Sequence, residues 1–242
     1  MAAIWRKLRD RVKAMKPFVM FGTHPLFGDY VDAIHAVGGY LSRVVLNVQE
    51  PQRPAGQKFQ DRLEKYQSWL RATGCSTQVK VLWLDDYSVD PDETALLGFR
   101  GTKAQPLLDL VKERHGVTFP PLVHRSAMVS PMSELHEGVF VGAGSVIAPN
   151  CSVGSFSLIN RGTTIGHDNL IEPHVVIGPS VQTASSVHIE SGAVLGIGCT
   201  IREHLVLGAG SYVAAGAVVL KHVEPGHLVA GVPAVSKKVL SG

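Results

Sequence analysis

From Val123 to Val219 every sixth residue is Val, Ile or Leu, seventeen positions in one register with Thr183 the sole exception. In a chain that is 45% apolar, a run this long is no accident of composition, and self-similarity at a short fixed interval marks a solenoid. Four places after these positions, from Val139 to Val223, stand smaller or medium side chains, among them Ser145, Cys151, Thr163, Asn169, Ala193 and Ala217. A branched aliphatic pointing inward, with a smaller inward neighbour beside a corner, describes a three-sided coil of three hexapeptides per turn. The period suits neither a helix nor an ordinary amphipathic strand, whose repeats are about 3.6 and 2.

Coils of this kind stack as parallel sheets, bury one continuous core and pair their backbone groups with the coils above and below. Gly142, Gly154, Gly178 and Gly208 fall at corners, as do Pro149, Pro173 and Pro179, where no ladder donor is needed. Residues 119–242 are therefore expected to form a left-handed parallel β-helix with a C-terminal tail. The register also sorts the histidines. His124, His136, His167, His174, His188, His204 and His222 all miss both inward positions, so each is expected on the outside of the prism or between subunits. Thr183 carries no functional reading at this level.

Residues 17–118 show a different pattern. An apolar strand at Phe18 to Phe21 runs into GTHPLFGD at 22–29, followed by a helical pattern through Val31, Ile34 and Val37 and a strand at Val44 to Leu46. A second helix from Phe59 to Thr73 places Phe59, Leu63, Tyr66 and Leu70 on one face. Strands at Val79 to Leu84 and Thr94 to Phe99 precede a third helix that begins near Pro106. This alternation predicts a small, Rossmann-like α/β domain with its ligand site at the strand C-termini, near the first loop. Gly22, Thr23 and His24 are the candidate acceptor-binding residues there. With only Gly22 and Gly28 in the loop, and Asn47 where a ribose-binding acid would stand, NAD binding is disfavoured.

Charge changes the picture little. Residues 1–16 hold Arg6, Lys7, Arg9, Arg11, Lys13 and Lys16 against Asp10, so the formal net charge of +3 reports a basic N-terminal segment and predicts no nucleic-acid partner. Trp5, Leu8, Val12 and Met15 share one helical face. An amphipathic cap on its own domain is favoured there over a helix at a membrane surface. No apolar stretch is long enough to span a bilayer, and the early charges do not suit a signal peptide. Three cysteines without C-x-x-C spacing suggest neither a disulfide framework nor a metal site, which fits a soluble protein of the reducing cytoplasm.

An α/β domain followed by this β-helix resembles the NeuD/PglD-like sugar acetyltransferases, from about residue 17 to 240. The motifs that carry the resemblance are FPPLVHRSAMVSP at 119–131, VFVGAGSVIAPNCSVG at 139–154, TTIGHDNLIE at 163–172 and HLVAGVPA at 227–234. The resemblance implies a homotrimer that moves an acetyl group from acetyl-CoA to the amino group of a nucleotide-linked sugar. His167 would be the general base, paired with Asp168, and attack on the thioester would be direct. An imidazole with a pKa of about 6.5 suits that task at neutral pH. Acetyl-CoA contacts fall, by the same resemblance, on Val176, Ile197 and Ala215, with no metal. Val176 departs from a histidine in the family, and Ala215 from a glycine. The first loop departs further: it is one residue longer than the family's GASGHG-like turn and places Phe27 where that turn has its histidine, so His24 would take over the polar role. The segment from Gln49 to Ser76, with its extra helix, also exceeds the family spacing.

Three alternatives stand beside this reading. One is O-acetylation of a sugar hydroxyl. Another is a non-catalytic trimeric binding or assembly module. A third is a zinc-dependent carbonic anhydrase of the same fold, for which His222 and His227 have the right separation but lie at the exit of the helix.

Overall fold

The computed structural model of the protein describes residues 15–23, 25–47, 58–73 and 77–240. The amphipathic face of residues 1–14 and the candidate His24 lie outside them. The chain divides into two units, residues to Phe99 with Gln105–Phe119, and Arg100–Ala104 with Pro120 onward.

The first unit holds β1 (Lys16–Phe21), α1 (Phe27–Ala36), β2 (Gly39–Leu46), α2 (Phe59–Ala72), β3 (Lys80–Trp83), β4 (Thr94–Leu97) and α3 (Gln105–His115). Its strands form one parallel sheet in the order β3-β2-β1-β4. The sheet's central pair is almost wholly apolar, with Val19, Met20, Phe21, Leu41, Val44 and Val45 buried, as expected of parallel strands covered on both faces. Helix α2 buries Phe59, Leu63, Tyr66 and Leu70, the four residues its spacing selects. Val37 differs from expectation. Helix α1 ends at Ala36, Val37 is its cap and is 45% exposed, because Gly38 turns the chain at a φ of 80° before β2.

The second unit is a three-sided prism of parallel β-structure. Seventeen two-residue strands, β5 (Leu122–Val123) to β21 (Val218–Val219), recur every six residues and form three parallel sheets, which β22 (His227–Ala230) and the antiparallel β23 (Val235–Val239) extend at one edge. The second residue of every one of these strands is a member of the aliphatic register, and each pairs with its counterpart a full coil away, as in Ile159 with Ile177 and Ile171 with Ile189. The core runs unbroken from Val139 to Val229, and the first-coil residues Val123, Val129 and Leu135 are partly buried against it. All seven prism histidines of the register argument are exposed or half-buried, and none is in the core.

Candidate active site

His167 and Asp168 occupy a corner of the prism, in the four-residue turn Gly166 to Asn169 between a strand of the six-stranded sheet, Thr164–Ile165, and one of the five-stranded sheet, Leu170–Ile171. Gly166 opens the turn where a Cβ would stand 2.5 Å from the Ala184 carbonyl oxygen of the next coil, so only glycine allows the coils to approach. Asp168 has a φ of 58°, a left-handed conformation that Asp and Asn tolerate better than most residues. Asn150, Ser186 and His204 repeat that conformation at the same corner of neighbouring coils. The Asp168 N–H donates to Pro149 O at 3.0 Å and the Ser186 N–H to His167 O at 3.0 Å, so the corner is tied to the coils below and above.

The two side chains meet: His167 Nδ1 is 2.5 Å from Asp168 Oδ2, with the imidazole 61% and the carboxylate 45% exposed. The other carboxylate oxygen, Oδ1, accepts a hydrogen bond from Asn150 Nδ2 at 3.0 Å. The His167 bond, followed by the Asn150 bond, holds the Asp168 carboxyl below its ordinary range. A carboxylate only accepts, so Nδ1 carries the proton and the Nε2 lone pair of the neutral ring is left for an outside partner. Asn150 was not singled out from the sequence. Its signal is its spacing, one coil before Asp168 at the same corner.

The other histidines are arranged differently. His188 Nε2 lies 2.7 Å from Glu172 Oε1, while Glu172 Oε2 accepts the Ser191 N–H at 3.0 Å, on a flat sheet face and not at a corner. The Val206 N–H donates to His222 Nδ1 at 2.9 Å, and His227 Nδ1 lies 3.1 Å from Ser236 Oγ. His174 stacks on Phe156 at 5.9 Å, and burial pushes its pKa down. Among the described residues no group of three or more His, Cys, Asp or Glu side chains is arranged to hold a metal ion.

Ile197 and Ala215 lie one coil above the other, joined by a Gly216 N–H to Ile197 O bond of 2.9 Å, at the corner between the eight- and six-stranded sheets. Ile197 is 56% exposed and Ala215 is also exposed. Val176 is half-buried on the eight-stranded face and spends its N–H on Ala193 O at 3.0 Å, so it offers a ligand apolar contact only. A whole sheet face separates these three residues from the His167 corner within one chain.

In the first unit, Gly22 follows β1 at a φ of 83° and is buried. A Cβ there would stand 2.0 Å from the Phe99 ring, so the position has no room for a side chain. Thr23 beside it is half-buried. Phe27 is a core residue, 3% exposed and edge-on to Phe59 at 5.6 Å and Tyr66 at 6.2 Å, both on α2. The position of Phe27 therefore depends on α2, which supplies the ring's apolar surroundings.

No protein-family model matches the chain. Among curated proteins it is similar to the acyl-(acyl-carrier-protein)–UDP-N-acetylglucosamine O-acyltransferases of Brucella ovis and Brucella canis, at 31% identity over 95 residues, 37% of this chain. The chain spans about a third of the length of those curated relatives, 34%. Among solved structures it is similar to a perosamine N-acetyltransferase from Caulobacter crescentus in complex with CoA and GDP-perosamine, at 23% identity and a TM-score of 0.72 over 93% of this chain and 98% of that one. It is also similar to the acetyltransferase domain of PglB from Neisseria gonorrhoeae in complex with acetyl coenzyme A, at 20% identity and a TM-score of 0.73 over 93% and 100%. The chain therefore has the fold of the left-handed β-helix, hexapeptide-repeat sugar N-acetyltransferases.

Proposed function

We propose that the protein is an acetyl-CoA-dependent acyltransferase that acetylates the amino group of a nucleotide-linked sugar, with His167 as general base. The observation that carries this is the exposed His167–Asp168 pair, in which the carboxylate fixes Nδ1 and leaves Nε2 to the acceptor. As the acceptor nitrogen attacks the thioester carbonyl, Nε2 takes the amine proton. The C–S bond then breaks, and the imidazolium returns that proton to the departing thiolate, giving an acetamido sugar and free CoA. No acyl-enzyme is needed. Relatives crystallised with CoA and GDP-perosamine, and with acetyl coenzyme A, support this choice of donor and acceptor.

The chain is read as a homotrimer. His167 at one corner and Ile197 with Ala215 at another are apart in a single prism, which suits a site assembled where the corner of one copy meets the corner of the next. The apolar surfaces of Val176, Ile197 and Ala215 fit the hydrocarbon arm of acetyl-CoA. The four-stranded unit is read as Rossmann-like, since β1 has β2 on one side and β4 on the other and such reversals of strand order hold ligands at their C-terminal ends. Gly22, Thr23 and His24 would there face the nucleotide sugar. A cytoplasmic location goes with these substrates. A second reading, O-acylation, draws on the Brucella relatives, whose names specify transfer to oxygen.

Free CoA, titrated with a thiol reagent while nucleotide-linked amino sugars and their hydroxyl counterparts are offered with acetyl-CoA, tests the reading. Release with an amino sugar is expected. Release with hydroxyl acceptors alone would establish O-acylation, and a protein that neither binds nor turns over acetyl-CoA would be the assembly module.

A further inference from the structure

Polar side chains at the second inward position between Ser133 and Thr163 follow one rule, which Ser211, at the same position further along with no partner for its buried Oγ among the described residues, does not. Ser133, Ser145, Cys151, Ser157 and Thr163 each donate to the carbonyl fifteen residues ahead, at 2.7 to 3.0 Å. Asn169, the one amide in that column, obeys the rule with Nδ2 donating to Ala184 O at 2.8 Å. Because the amide carries a second N–H, it also reaches back to Gly166 O at 2.6 Å and, at a longer 3.3 Å, to His167 O. Among the other members of the column only Cys151 also reaches back, through a long Sγ contact of 3.8 Å to Pro149 O, and none of them bonds to the carbonyl three residues behind, as Asn169 does to Gly166 O.

The amide is held at a cost. Asn169 is 1% exposed, and its Oδ1 faces no donor among the described residues. A buried acceptor without a donor destabilises the fold, whereas Cys151 and Val187 fill the same position one coil below and above without that penalty. Thr183, the lone interruption of the aliphatic register, points to the same place. Its buried Oγ1 accepts the Gly166 N–H at 3.3 Å, beside the ladder bond from that N–H to Thr183 O at 3.0 Å. Cys151 Sγ donates to Gly166 O at 3.0 Å. Polar side chains from three successive coils thus converge, inside an otherwise apolar core, on the residue immediately before His167.

We propose that Asn169, backed by Thr183, is a positioning residue that locks the Gly166–His167 backbone to the coil above and so aims the His167 imidazole. It touches no substrate. The proposal rests on His167 being the base, because general-base catalysis needs the ring aimed within a narrow range and a displacement of about 1 Å can cost about 10²-fold in rate.

Asn169→Thr is the discriminating variant. Threonine already occupies this inward position at Thr163, so it keeps the bond fifteen residues ahead and loses the two backward bonds. The expected result is a kcat at least about tenfold lower with the KM for acetyl-CoA changed less than about twofold. The thermal midpoint should be no lower than that of the unsubstituted protein, since the unmet Oδ1 is gone. In ¹⁵N-histidine spectra the Nδ1–H tautomer of His167 should lose population. Thr183→Val should move the same readouts in the same direction, and it decides the matter if Asn169→Thr does not fold. Variants that fold with kcat within about twofold and an unchanged His167 tautomer would overturn the proposal. If the unsubstituted protein releases no CoA, the functional reading fails separately, and the tautomer measurement alone decides for or against positioning.

Discussion

An imidazole with more than half its surface in water is directed by whatever holds its other nitrogen, and at the His167 corner that is a carboxylate with both oxygens engaged. Removing one of those bonds should have a small, specific effect. Asn150→Ala frees Asp168 Oδ1, and a hydrogen bond worth about 1 kcal/mol corresponds to about a fivefold fall in kcat with little change in stability, measured by steady-state kinetics beside a melting curve. The pH dependence follows from the depressed Asp168 carboxyl. Its folded pKa is below the usual value near 4, so the carboxylate is fully in place above that value and is lost only as pH falls through the depressed one. Protonation of Asp168 should therefore leave kcat/KM untouched above about pH 5, and Asp168→Asn should lower the rate across that range.

At the scale of the strand and the coil, the prism was almost fully legible beforehand, since one six-residue period assigns both an inward side and a corner to every residue. All seventeen register positions are the second residue of a strand. Ile177, fully buried among neighbours from the adjoining coils, tests the core: Ile177→Ala should cost about 2–5 kcal/mol in chemical denaturation. The period says which way a side chain points, and not which carbonyl it will meet. That is why the Asn169 and Thr183 bonds to Gly166 and the Asn150 bond to Asp168 were invisible in the sequence, although all three residues lie where the register puts them. In the α/β unit the periods of 3.6 and 2 gave the right elements. They ran one residue too far at Val37, where two successive glycines, Gly38 and Gly39, end the helix.

The whole molecule is the scale at which one chain says least, because the residues proposed for the base and for the CoA arm lie apart on its prism. If the site is built between copies, light scattering should report about three times the chain mass of 25.9 kDa, and a fully active monomer would exclude a shared site. The acceptor is the least legible feature. The residues proposed to recognise it lie in the loop after β1, where Gly22 has no room for a side chain, Phe27 is drawn into the core by α2, and His24 lies outside the described residues. Folding constraints, which make the prism readable, do not encode which sugar the loop meets. The central claim is that the His167 corner performs the chemistry, and the measurement that tests it most directly is the rate of CoA release by His167→Ala with a nucleotide-linked amino sugar. The expected result is a folded protein that binds acetyl-CoA with unchanged affinity and has a kcat lower by about 10²- to 10⁴-fold. A His167→Ala protein that retains activity within about tenfold of the unsubstituted enzyme would contradict it.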